Sequence, residues 1–213
     1  MSLLHRLNAA FSMPINDNSP IRIACIGDSI TEGIALTDPQ IHAWPAVAQR
    51  LLSDRAAVRN FGVGGATIAK RGDKPYWDQP AYVASRAWNP TIVIIMLGTN
   101  DARSANDLVR HEVLADLAEL VDSYATLSSL PRIILCTPIP AFRANHTVNP
   151  GFIGDALAPG IRALAGTLGR ELFDAYTLAD DLGPTCDDGI HPDVGGNLRL
   201  AERIVGFLQL NLR

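Results

Sequence analysis

Ser29 sits in Gly27-Asp-Ser-Ile-Thr-Glu-Gly33, directly after an apolar run. A serine hydroxyl is a weak nucleophile until a positioned base removes its proton. The candidate base is His191, in Asp187-Asp-Gly-Ile-His-Pro192, with Asp188 three residues before it. Pro192 biases His191 away from helical geometry, and Gly189 permits a tight turn. Asp188 can then reach one imidazole nitrogen and leave the other facing outward, so that the three residues could act as nucleophile, general base and orienting acid. Acyl transfer also needs donors for the developing oxyanion, each typically contributing a factor of about a hundred to a thousand. Gly64 and Gly65 can bring backbone N–H groups close to a ligand, and Asn100 supplies a neutral side-chain amide.

Each fragment also has a plainer reading. Ser29-Ile-Thr-Glu32 fits a capping box at a helix start. Asp188-Gly189 fits an exposed turn with an incidental histidine, Asn100 a turn or cap, and the glycines a bend requiring positive φ. What no fragment explains by itself is their joint presence: a nucleophile, a base, an orienting acid and oxyanion donors in one chain.

The elements that must position these residues follow from the apolar pattern. Runs at 21–26, 57–61, 91–97, 132–137 and 171–173 read as strands. Ile92-Val-Ile-Ile-Met-Leu97 and Ile133-Ile-Leu-Cys136 are apolar throughout, which means burial on both faces, as in a parallel sheet covered by helices. Helical spacing is expected over 44–52, 106–127, 152–168 and 195–210. Alternating strands and helices with right-handed crossovers predict an α/β fold, a doubly wound three-layer αβα sandwich. Residues 1–20 read as an N-terminal arm carrying a short amphipathic helix, and 21–213 as a single catalytic domain. Ligands in such a sheet bind beyond the carboxyl ends of the strands. The segments after strands one, two and three carry Ser29, Gly64-Gly65 and Asn100 respectively.

With those blocks in place, the chain resembles the SGNH hydrolases, or GDSL-type esterases and lipases. The blocks are Gly27-Asp28-Ser29, Asn60-Phe-Gly-Val-Gly-Gly65-Ala-Thr67, Gly98-Thr-Asn100-Asp101 and Asp188-Gly-Ile-His191-Pro192, in family order. Ile30 stands where the family often has leucine. The resemblance implies a flavodoxin-like sandwich with a five-stranded parallel sheet. It implies Ser29 as nucleophile, with the Ser29 and Gly65 amides and the Asn100 side chain as oxyanion hole. Gly65 is preferred over Gly62 and Gly64 from its spacing to Asn60. No cofactor and no metal is expected. Substrate is left open among acetylated sugars, short esters, lysophospholipids and thioesters.

Arg71-Gly-Asp-Lys-Pro-Tyr-Trp-Asp78 bears on that choice. Tyr76 and Trp77 could offer flat faces to a sugar ring, and Lys74 and Arg71 could meet hydroxyls or a carboxylate; alternatively the aromatics pack the loop onto the domain. The stretch is similar to that of carbohydrate acetylesterases of the family, including sialate O-acetylesterase-like members. Asp28, Lys74, Tyr76 and Trp77 are the candidate substrate contacts. The expected reaction is removal of a short acyl group, acetyl foremost, from a carbohydrate or similar polar alcohol, with a lysophospholipase or thioesterase as runner-up.

Other classes fit less well. Net charge is −4, and no basic block suits nucleic acid. No apolar run reaches the roughly 18 residues that span a bilayer, and the N-terminus lacks a signal-peptide pattern, so a cytoplasmic location is expected. Three cysteines make no disulfide framework. A metal-dependent phosphoesterase could use Asp28, Asn100, Asp188 and His191, but only His191 of five histidines lies in a motif. Gly62-Val-Gly-Gly-Ala-Thr67 departs from a dinucleotide fingerprint at its third glycine. A non-catalytic sugar-binding domain on the same fold is a further alternative.

Overall fold

The computed structural model describes residues 21–143 and 147–209. The expected amphipathic helix of the N-terminal arm lies outside them. Among the described residues, strands β1 (Arg22–Gly27), β2 (Ala57–Gly62), β3 (Ile92–Met96), β4 (Arg132–Cys136) and β5 (Glu171–Phe173) form one sheet in the order β2-β1-β3-β4-β5. Every pairing is parallel. The chain steps from β1 outward to β2, then back across to β3. The topological switch point, where a ligand crevice forms, is therefore at the carboxyl ends of β1 and β3.

Helices cover both faces. Ser29–Glu32 (α1) follows β1; Pro39–His42 (α2) and Trp44–Leu52 (α3) lead to β2; Pro80–Ala87 (α4) leads to β3. Val113–Ala125 (α5), Ala158–Thr167 (α6), Ala175–Leu178 (α7) and Val194–Gln209 (α8) complete the series. The apolar strands divide their side chains between two cores, as the period of two requires. Ile92, Ile94 and Met96 join Trp44, Val47 and Leu52 of α3 and Leu200, Ile204 and Leu208 of α8. Val93, Ile95 and Leu97 join Leu117, Leu120 and Tyr124 of α5 and Ile161 and Ala165 of α6.

Two expected helices are shorter than their patterns. The segment expected over 106–127 is helical only from Val113; Ser104–Glu112 is a run of 3₁₀ turns with Leu108 88% exposed. Asn106 accounts for the difference. Its buried side chain donates to Asn100 O (2.9 Å) and Asp73 Oδ1 (3.0 Å) and accepts from Asp73 N–H (2.8 Å). Such bonds compete with regular helix. The segment expected over 152–168 opens with a π-helical stretch, Phe152–Leu157. Pro159 lies just beyond it and cannot donate the backbone bond an α-helix would need there. Helix α4, for which the sequence pattern raised no expectation, is short and fully buries only Ser85, so it carries little apolar periodicity.

Candidate active site

The first turn after β1 decides what the Ser29 hydroxyl does. Asp28, not Ser29, caps α1: its Oδ1 accepts the Ile30 N–H at 3.0 Å. Glu32, which a capping box would turn back to the cap, instead accepts the Gly64 N–H at 2.5 Å. The capping alternative is thus overturned, and the Ser29 hydroxyl is free for another partner. That partner is His191: Ser29 Oγ lies 2.7 Å from Nε2 across 162 positions of sequence.

His191 is held from its other side. Nδ1 lies 2.5 Å from Asp188 Oδ2, while Oδ1 accepts the Ile190 and His191 amides at 2.9 and 2.8 Å. This geometry puts the imidazole proton on Nδ1 and leaves Nε2 as acceptor for the Ser29 hydroxyl. Partial burial works against ionisation of Asp188, but the imidazole contact and the two amides outweigh it and hold the carboxyl below its usual range. Gly189 adopts φ +83, and an added Cβ there would lie 2.7 Å from Arg143 Cβ. The turn is braced by Phe142 N–H on Gly189 O (2.8 Å) and Arg143 on Asp187 O (3.0 Å).

Asn197 supports the same turn and was not singled out in the sequence. Its buried amide donates to Pro192 O (2.7 Å) and its oxygen accepts Trp44 N–H (3.0 Å), tying the residue after His191 to α3. A lone asparagine within an amphipathic helix pattern gives no sequence signal of that role.

The loop after β2 is fixed by one carboxylate and two side-chain amides, from Asp101, Asn60 and Asn100. Asn60 donates to Thr31 O (2.7 Å) and accepts Gly62 N–H (2.8 Å), joining the loop to α1. Asp101, fully buried, accepts the Ile68 and Ala69 amides at 2.9 Å each. Gly65 adopts φ +80, where glycine avoids the strain a side chain would feel. Neither the Ser29 nor the Gly65 N–H is engaged by another backbone or side-chain group among the described residues. Asn100 is 8% exposed and donates to Ala66 O at 3.1 Å, which orients its amide and leaves its second N–H uncommitted. Asn106 then secures Asn100 through its carbonyl. Gly64 lies close to the nucleophile: a Cβ there would be 3.8 Å from Ser29 Cβ.

The candidate substrate contacts fare differently. Asp28 is 1% exposed, so its carboxylate serves α1 and does not face a ligand. Burial pushes its carboxyl up to about 6, opposed by the Ile30 amide, the Thr99 side chain and the charge of His191. Its Oδ2 has no hydrogen-bond partner. Tyr76 is fully buried, with its hydroxyl on Phe61 O at 2.9 Å. Trp77 donates to Ile68 O (3.1 Å), packs against Tyr82 and lies under Lys70. The aromatics therefore pack the loop, and Tyr76 offers no face to a sugar. Arg71 pairs with Glu112, and Lys74 donates to Gly64 O at 2.7 Å. Cys186 is buried and burial raises its thiol to about 11, far from a nucleophile's range. Among the described residues no three His, Cys, Asp or Glu side chains gather as a metal site.

A shallow, solvent-open depression lies beside Ser29 and His191, walled by Ile34, Leu36, Pro192 and Asn197. Ile34 is 60% exposed, so an apolar side chain stands at its mouth.

Residues 25–199 match the model of the GDSL-like lipase/acylhydrolase family. An acetylxylan esterase of Xylanibacter ruminicola is 33% identical over 216 residues, which is 93% of this chain and 45% of that protein. The chain thus spans less than half the length of that relative. A carbohydrate acetylesterase from Sinorhizobium meliloti superposes with a TM-score of 0.72 at 22% identity, covering 89% of this chain and 99% of that one. The aryl esterase of M. smegmatis gives 0.70 at 22% identity, covering 90% and 100%. At that identity the two structures bear on the fold, which they share. The match runs from β1 through the Asp188–His191 turn and into α8, and the chain belongs to the GDSL-like lipase/acylhydrolase family.

Proposed function

We propose that this chain is a serine carboxylic ester hydrolase that removes short acyl groups, acetyl foremost, from a carbohydrate or similar polar alcohol. The observation that carries it is the alignment of Ser29 Oγ, 2.7 Å from His191 Nε2, with His191 Nδ1, 2.5 Å from Asp188. In the first step His191 takes the Ser29 proton as Oγ attacks the ester carbonyl carbon. The oxyanion forms among Ser29 N–H, Gly65 N–H and the Asn100 amide. His191 then gives its proton to the departing alcohol, leaving an acyl-serine. Water, deprotonated by the same imidazole, attacks the acyl carbon, and Ser29 leaves reprotonated with release of the acid.

One observation supports a short acyl group. The relative with 33% identity is an acetylxylan esterase. Among the described residues no helix is long and apolar enough to cross a membrane. The test is a panel of aryl esters of increasing acyl length, together with acetylated sugars, on wild type and Ser29→Ala. Turnover is expected to be highest with acetyl and to fall at least about a thousandfold in the variant, the scale on which triad members act. Retained turnover in Ser29→Ala, or a rate that climbs with acyl length, would refute the reading.

A further inference from the structure

The structure assigns Lys74 to the oxyanion hole as a positioning residue that orients and polarises the Gly64–Gly65 peptide, a role that rests on the ester-hydrolase reading above. The carbonyl of Gly64 and the N–H of Gly65 belong to one peptide group. Resonance couples its two ends, and in a trans peptide they point in opposite directions. Lys74 Nζ donates to Gly64 O at 2.7 Å. A cation on the carbonyl oxygen draws electron density from the amide nitrogen, so the opposite N–H becomes a stronger donor. That N–H is the one proposed to meet the oxyanion.

The attachment is specific. Glu32 holds the preceding peptide through Gly64 N–H at 2.5 Å, so an anion and a cation grip the two ends of Gly64. Lys74 forms no ion pair with a carboxylate among the described residues. Its charge is therefore directed to one carbonyl. Its stem lies along Gly65, with Cδ 3.5 Å from where a Cβ would stand. Its backbone is pinned beside the same loop: Thr67 N–H donates to Lys74 O and Tyr76 N–H to Thr67 O, each at 2.9 Å. Asn106 joins this stretch to the other donor, accepting Asp73 N–H (2.8 Å) and donating to Asn100 O (2.9 Å). The backbone donor and the side-chain donor are thus referenced to one another. Lys74 is exposed, so water screens its charge, and the expected effect is a fraction of that of a buried donor.

Three measurements on wild type, Lys74→Met and Lys74→Arg test this. Turnover is followed with 4-nitrophenyl acetate and with fully acetylated xylose, and inhibition with ethylboronic acid, whose serine adduct places an oxygen in the oxyanion hole. Lys74→Met is expected to lower kcat about tenfold on both esters with KM within about twofold. That is a fraction of the hundred- to thousandfold that follows removal of a whole donor. Boronate inhibition should weaken about tenfold in parallel, and Lys74→Arg should recover most of both losses. The role is overturned if Lys74→Met keeps wild-type kcat. It is equally overturned if only KM for the sugar rises, which makes Lys74 a substrate contact, or if Lys74→Arg is as slow as Lys74→Met, which makes the stem rather than the charge responsible. Should Lys74→Met unfold, the arginine variant and a Lys74→Gln variant carry the comparison. Failure of the hydrolase reading is distinct: wild type would then cleave no ester, or Ser29→Ala would remain active.

Discussion

Asp101→Asn separates what a buried charge costs from what its hydrogen bonds contribute. Asp101 is fully buried and accepts two amides of the loop that presents Gly64 and Gly65, those of Ile68 and Ala69. Burial pushes its carboxyl from the ordinary 3.8 up to about 6; the two amides oppose the rise and the nearby Asp28 adds to it. Below about pH 3.8 the group is protonated in both folded and unfolded chains, and above about 6 it is charged in both. Between these values the folded chain holds a proton that the unfolded chain has lost. Stability from this group therefore falls as pH rises through the window, by about 3 kcal/mol in all. Asparagine does not titrate, but its NH₂ must face one of the two amides. A buried donor is left unsatisfied at a cost of about 1–3 kcal/mol. At pH 4 the variant should be less stable than wild type by about that amount, and by pH 7 the gap should close or reverse. Urea unfolding of both proteins from pH 4 to 7.5 measures the gap, and subtraction removes the titrations they share. A gap that is flat, or that widens with rising pH, would refute the reasoning.

Asp188→Asn should keep its oxygen on the Ile190 and His191 amides and turn its NH₂ toward His191 Nδ1. That forces the imidazole proton onto Nε2, so kcat should fall on the order of 10²–10⁴-fold with KM little changed; a loss under about fivefold in steady-state kinetics would count against the tautomer role. The glycines of the β2 loop should part company in thermal unfolding and kinetics. A Cβ on Gly62 would sit 2.4 Å from Glu32 N, a backbone atom, so Gly62→Ala must displace α1, with a loss of more than about 2 kcal/mol. A Cβ on Gly65 meets nothing closer than 3.5 Å, so Gly65→Ala should cost only the left-handed strain of about 1–2 kcal/mol while lowering kcat. Equal destabilisation by the two substitutions would show that the loop tolerates a side chain at Gly62.

Much of the molecule could be read before folding was considered. Unbroken apolar runs such as Ile92–Leu97 have one stable use, burial on both faces, so the parallel sheet and its two helical layers followed from patterning. Ser29, Asn100, Asp188 and His191 stood out because reactive residue types occurred together with turn residues beside them. Local bonding escaped that reading. The capping box at Ser29-Ile-Thr-Glu32 is valid by pattern, yet Asp28 takes the cap and Glu32 reaches Gly64. Tyr76 and Trp77 looked suited to a sugar because both are aromatic, and only packing shows Tyr76 in the core and Trp77 tied to Ile68. The difference is physical. Periodicity and residue chemistry are properties of neighbours along the chain. The Ser29–His191 contact, the grip of Asp101 on the 68–69 amides and the Lys74 bond to Gly64 join positions 10 to 162 residues apart, and their distances exist only once the strands have ordered.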